Sequence, residues 1–160
     1  MRPQEVRDLM YSPVFISDIL YFFCKGARRV DERGVKFELI YLVIPFVMDD
    51  IFRRKLKSMN ISSTFKTAFF NKNEELNERL FFINDKVKFS RNVTNEGLIY
   101  LSSICDVSIG AYFNILKYDR DFGSYSNVID EYFKAASNLG SIFAKEGYIN
   151  VFLKCKVKII

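Results

Sequence analysis

Apolar residues begin to recur at helical spacing just after Ser12-Pro13. That dipeptide has the form of a helix start. Serine caps the first free amides, and proline takes the first helical position, where no amide donor is needed. Ile16, Ile19, Leu20 and Phe23 then fall on one face, which predicts a core helix, its end loosened by Gly26. The polar run Asp31-Glu32-Arg33-Gly34 reads as a turn. A second helix is predicted over 36–47, apolar almost all round and therefore the central buried element. Pro45 either ends or kinks it, because proline lacks the amide hydrogen. Asp49 and Asp50 open a charged helix over 50–57. Ser62-Ser63-Thr64 caps a short helix running through Phe70. Asn73 with Glu74 and Glu75 marks another start, with Leu76, Leu80, Ile83 and Val87 as its buried stripe. Thr94 caps the next helix and turns Leu98, Leu101 and Ile104 inward.

Then the period changes. Around Gly110-Ala111 the chain alternates, with Val107 and Ile109 before and Phe113 and Ile115 after, which predicts a small β-hairpin. Residues 117–127 read as a loop. An amphipathic helix is predicted over 128–145, with Ile129, Phe133, Ala136, Leu139 and Phe143 inward. Gly140 in its middle costs about 1 kcal/mol against alanine, which close packing against a neighbouring helix would offset. The tail over 148–160 alternates Ile149, Val151, Leu153, Cys155, Val157 and Ile159 with Asn150, Phe152, Lys154, Lys156 and Lys158. That pattern predicts a strand with one solvated face, its lysines blunting an exposed edge. The expected fold is α+β and mainly helical, with a winged helix-turn-helix-like core, a short β-hairpin and a C-terminal strand. One compact domain over 1–160 is expected, with N-terminal helices over about 12–57, the winged-helix-like part over about 62–116, and the last helix and strand over about 127–160.

Composition narrows the chemistry. The 160 residues are 49% hydrophobic, with 17 Phe and 9 Tyr, enough to bury a core and too apolar for disorder. The first apolar run is broken by Asp18, and the run over 39–48 is well short of the roughly 20 residues a membrane-spanning helix needs. No signal peptide is apparent. The odd, scattered set Cys24, Cys105 and Cys155 fits buried thiols in a reducing cytoplasm. With no histidine in the chain, neither a zinc site nor the usual nucleophilic triad is expected, and no phosphate-binding glycine loop is present. The carboxylate pairs Asp49/Asp50 and Glu74/Glu75 stand at helix starts, where they complement the helix dipole. No cofactor, metal or catalytic residue is expected.

Charge speaks to nucleic acid. The net charge is +5, which permits nucleic acid contact and equally serves solubility. The second helix and wing of a winged helix would have to enter the groove. Here residues 92–116 hold no Lys or Arg, only Glu96 and Asp106, so phosphate attraction and arginine readout of guanine are both lacking. That face is expected to touch protein. The basic residues stand elsewhere: Lys25, Arg28 and Arg29 after the first helix, and Arg53, Arg54, Lys55 and Lys57 in the helix over 50–57. The second group suits the negative end of its own helix dipole; both are candidates for phosphate-backbone or acidic-partner contacts.

Several short stretches together resemble the middle component of three-component ABC systems, the prokaryotic conflict systems that include the Lamassu type. They are Glu5-Val6-Arg7, Ser12-Pro13-Val14-Phe15, Leu20-Tyr21, the apolar run over 37–46 ending in Ile44-Pro45-Phe46, Val93-Thr94-Asn95-Glu96-Gly97-Leu98, and the segment over 138–144 that begins Asn138-Leu139-Gly140. Gly97, where the family has alanine, and the lysine-rich tail depart from the pattern. The resemblance implies a non-catalytic adaptor in an SMC/Rad50-like ABC ATPase defence complex, coupling DNA sensing by the ATPase to an effector nuclease. DNA would be met only through the complex and by backbone contacts, in the cytoplasm and with no membrane. Taken alone, the residues leave two rivals: a free-standing winged-helix DNA-binding regulator, and a small enzyme of unfamiliar type.

Overall fold

Helix α2, following a short helix α1 (Pro3–Met10), spans Pro13–Arg28 and is the axis of the fold. The computed structural model describes residues 1–70 and 72–158. Ser12 Oγ accepts from Phe15 N at 3.3 Å, so the helix starts where the Ser-Pro pair places it. Ile16, Ile19, Leu20 and Phe23 are fully buried, against α7 (Ile83–Ile104) on one side and α8 (Asn127–Glu146) on the other. Gly26 does not loosen the helix end. It is buried within α2, where an added Cβ would stand 1.9 Å from the Ser137 carbonyl oxygen. Gly140 answers from α8, with a Cβ position 2.0 Å from Phe23 O. Two glycines thus let the two helix backbones touch, and Ser141 Oγ donates across the contact to Gly26 O at 2.8 Å.

The predicted helix over 36–47 divides into three. Val35–Lys36 forms strand β1, Phe37–Leu42 a 3-10 helix, and Val43–Val47 the short helix α3. Pro45 supplies the reason. In one unbroken helix it would owe an amide hydrogen to Tyr41 O, whereas in the first turn of α3 no intrahelical acceptor is waiting. The segment is nonetheless central, with every residue of α3 buried. Helix α4 (Asp50–Lys57) follows, capped by Asp49, whose Oδ1 accepts from Ile51 N at 3.0 Å. It covers another side of α8, where Asn138 Nδ2 donates to Leu56 O and Met59 O. Helix α5 (Phe65–Phe69) is capped by Thr64 as expected.

Helix α6 (Glu74–Phe81) ends at Phe82, and α7 then runs unbroken to Ile104. Thr94 therefore starts no helix. It is buried in the middle of α7, its hydroxyl donating to Ser90 O at 3.0 Å, the back-bond open to a threonine inside a helix. Ile104 is exposed rather than inward. The hairpin stands where alternation places it: β2 (Val107–Ile109) pairs with β3 (Tyr112–Ile115), and β1 adds to β3 antiparallel, giving the order β1-β3-β2. The sheet thus draws a strand from outside the 62–116 segment.

The C-terminal strand is not formed. Tyr148–Cys155 is helix α9, which turns off α8 at Gly147, where φ is +81°. Val151 and Cys155, four apart, are fully buried, while Ile149 and Leu153 face solvent. An apolar-rich stretch this short fits either period. A strand needs a partner ladder, whereas a helix satisfies its own backbone. Lys156 ends α9 in the left-handed conformation with φ of 52°; residues 159–160 of the predicted strand lie outside the described residues. The fold is α+β and mainly helical.

Candidate functional site

The structure divides the seven candidate basic residues. Arg28 is half-buried and donates from Nη1 to Ile115 O at 3.1 Å, with its guanidinium over Tyr118. It joins α2 to the sheet. Arg53 donates to Val47 O at 3.2 Å, pairs with Asp50, and lies 4.0 Å from the Tyr132 ring centroid. It closes the C-terminal end of α3. Lys57 pairs with Glu131 at 2.5 Å and ties α4 to α8. Lys25 and Arg29 remain on the surface, lining a shallow depression with Phe22 of α2 and Asp130, Lys134 and Ser137 of α8. Arg54 is exposed and Lys55 half-buried, and neither side chain makes an ion pair among the described residues. Helices α2 and α4 flank the same stretch of α8, through Ser137 on one side and Glu131 and Asn138 on the other.

The second half of α7 and the hairpin form a different surface. Ile99 is 71% exposed and Ile109 63%, with Ile104 and Leu116 also exposed. Leu116 N donates to Asp106 O at 2.9 Å and closes the hairpin base. Ile109 pairs with Phe113, so both side chains leave the sheet on the same side. Phe113 reaches the core, and Ile109 overhangs its edge. Residues 92–116 carry no cation of their own, but Arg33 and Lys36 each stand 4.6 Å from the Tyr112 ring of β3. These exposed apolar side chains are candidates for contact with a partner.

A third region escaped the sequence. Helix α1 buries no residue. Between it, α3 and α7 runs a groove of about 640 Å³ with Ile44, Pro45 and Met48 on one wall and Phe89 and Val93 on another. Phe89 is 87% exposed. Asp49 closes one end. Its side chain is almost inaccessible, and it accepts from Arg79 Nη1 and Lys86 Nζ, each at 2.6 Å. Burial opposes its charge, but the hydrogen bonds from Lys86, the Phe52 amide and Arg79 outweigh it and hold the carboxyl below the ordinary aspartate value. The pairing of Asp49 and Asp50 at a helix start is thus partly capping, and Asp49 also fastens α6 and α7 to α4. Nothing in the local sequence names Arg79 or Lys86, which lie 30 and 37 residues on.

Buried polar groups elsewhere are internal ties. Asp18 pairs with Arg120 at 2.5 Å and holds the 117–126 loop to α2. Burial raises the Asp18 carboxyl more than Arg120 lowers it. Burial also lifts the Tyr118 phenol and the Cys24 thiol, and pushes Cys155 up to about 12. Among the described residues, no group of three or more Cys, Asp or Glu is gathered to hold a metal ion. No described helix is long and apolar enough to cross a membrane.

A molecule with such exposed faces belongs with proteins that work against other subunits. The chain belongs to the ABC-three component (ABC-3C) system Middle Component 3 family, whose model matches residues 1–159. It is accordingly the middle, accessory component of a multi-component ABC system and has partner subunits. No curated protein and no solved structure matches it.

Proposed function

We propose that this subunit is a non-catalytic adaptor that joins an SMC/Rad50-like ABC ATPase to an effector nuclease, so that DNA sensing by one licenses attack by the other. The observation that carries the reading is the α7–hairpin face, with Ile99, Ile104, Ile109 and Leu116 exposed and no cation between residues 92 and 116. The order β1-β3-β2, with β1 following α2 and the β2–β3 hairpin following α7, supports a winged-helix module. A hairpin with no Lys or Arg of its own, the nearby Arg33 and Lys36 being stacked against Tyr112, favours protein over a DNA groove. If duplex DNA reaches this subunit inside the complex, the candidates left for phosphate contact among the seven are Lys25, Arg29, Arg54 and Lys55. Arg28, Arg53 and Lys57 are engaged internally.

The test is co-expression of the three components and purification through this chain. A stoichiometric complex is expected, and the double change Ile99→Asp with Ile109→Asp should release one component while leaving the melting temperature within a degree or two. Recovery of the chain alone, with tight and salt-sensitive binding to duplex DNA, would make it a free-standing regulator instead.

A further inference from the structure

We propose that the shallow pocket between α6 and α9, on a different surface from the hairpin face, receives one apolar side chain of a partner subunit, with a carboxylate of the same segment beside it. The inference rests on the adaptor reading and deepens it by naming a second docking surface and the chemistry of its occupant.

The pocket exists because the tail folds as a helix. Helix α9 buries Val151 and Cys155 and turns Lys154 and Lys156 toward α6. There they line a cavity of about 190 Å³ with Phe70, Asn77, Leu80 and Phe81. That space suits one leucine- or phenylalanine-sized side chain. The rim is apolar as well: Phe81 is 64% exposed, and Leu153, on the outer face of α9, is 71% exposed.

The charge of the rim is positive. Lys154 stands over the rings of Phe65 and Phe70, its charge met by Glu146. Lys156 stands 5.4 Å from the Phe81 centroid and has no carboxylate partner among the described residues. The acids nearby in sequence, Glu74 and Glu78, do not line the cavity. An apolar floor beside the unpaired ammonium group of Lys156 selects an apolar anchor with a carboxylate next to it.

Single-stranded nucleic acid fits this surface less well. Base stacking needs open ring faces. Lys156 lies over Phe81, Phe82 meets the same ring edge-on at 5.4 Å, and aliphatic Leu153 offers no stacking face. The left-handed backbone at Lys156 also supplies a clean probe. Glycine relieves that conformation while removing the ammonium group, so Lys156→Gly keeps or raises stability and deletes the proposed contact.

The experiment is co-purification of the three components through a tag on this chain, with affinity measured by titration against each separated component. Phe81→Asp should weaken one component by about tenfold or more, and Lys156→Gly by about two- to fivefold. Val128→Asp, at an exposed site on α8, should change nothing. Raising the salt should narrow the difference between wild type and Lys156→Gly, because the lysine–carboxylate attraction is screened. Undiminished binding of both components by Phe81→Asp and Lys156→Gly overturns this inference and leaves the adaptor reading standing. Recovery of neither component by the wild-type chain overturns both. Binding of a fluorescein-labelled oligothymidylate that Phe81→Asp abolishes overturns it in favour of nucleic acid.

Discussion

Substituting alanine at Gly140 sets two effects of opposite sign against each other. Inside a helix, alanine is favoured over glycine by about 1 kcal/mol, so a solvent-facing Gly140 would make the change stabilising. In the fold the new Cβ would lie 2.0 Å from Phe23 O and 2.8 Å from Ala27 N, inside the 3.0 Å that real Cβ atoms essentially never breach. The obstruction is main chain and cannot rotate away. Helices α2 and α8 must separate by about 1 Å locally, which also stretches the Ser141–Gly26 hydrogen bond. Overpacking costs about 1–3 kcal/mol, and a backbone clash belongs at the upper end. Subtracting the helix gain leaves a net loss of about 2 kcal/mol, or a melting temperature lower by roughly 4–8 °C for a chain of this size. Thermal unfolding followed by circular dichroism reads it directly. Adding Gly26→Ala should cost less than the sum of the two single changes, since one separation relieves both clashes. At Gly97 the blocking atom is the Ile16 side-chain methyl, 2.4 Å away, so Gly97→Ala should cost less than Gly140→Ala. An unchanged or raised melting temperature for Gly140→Ala would refute the backbone contact.

Two further predictions concern buried titratable groups. The Asp49 carboxyl is held below its ordinary value, so its contribution to stability is complete above about pH 4 and is lost as the pH falls through its folded value. Asp49→Asn should therefore lower stability at neutral pH and flatten the acid limb in urea titrations. A truncated buried pair costs about 3–5 kcal/mol; Arg79 and Lys86 keep partial access to water, which reduces this to about 1–2 kcal/mol. A neutral-pH stability equal to wild type would remove Asp49 as the tie between α4, α6 and α7. The thiols should also separate by reactivity, because burial raises Cys24 and Cys155 and leaves them inaccessible, while Cys105 is only half-buried. Alkylation of the native protein at pH 8, read by mass spectrometry, should modify Cys105 first and the other two only on unfolding. Early modification of Cys24 would contradict its place in the core.

By itself the sequence determined the elements whose signals are local. Ser12-Pro13 starts α2, Asp49 caps α4, Thr64 caps α5 and Asn73 caps α6, because capping involves only the next few amides. Alternation about Gly110-Ala111 placed the hairpin. Local pattern misled where two periods coincide or where a residue has more than one use. The tail reads as a strand by alternation, yet Val151 and Cys155 also stand at helical spacing. Thr94 has the chemistry of a cap, yet it back-bonds inside α7. Gly26 has the composition of a helix end, yet it is a contact point. Only the tertiary structure decided these, because the deciding partners, Ser137 for Gly26 and Phe23 for Gly140, lie far along the chain. The same holds for charge. Arg28, Arg53 and Arg54 are alike in sequence, and only packing shows that two of them hold the fold together while the third faces solvent. A guanidinium buried against carbonyls must be satisfied from within, and the residue that satisfies it is set by how distant segments meet.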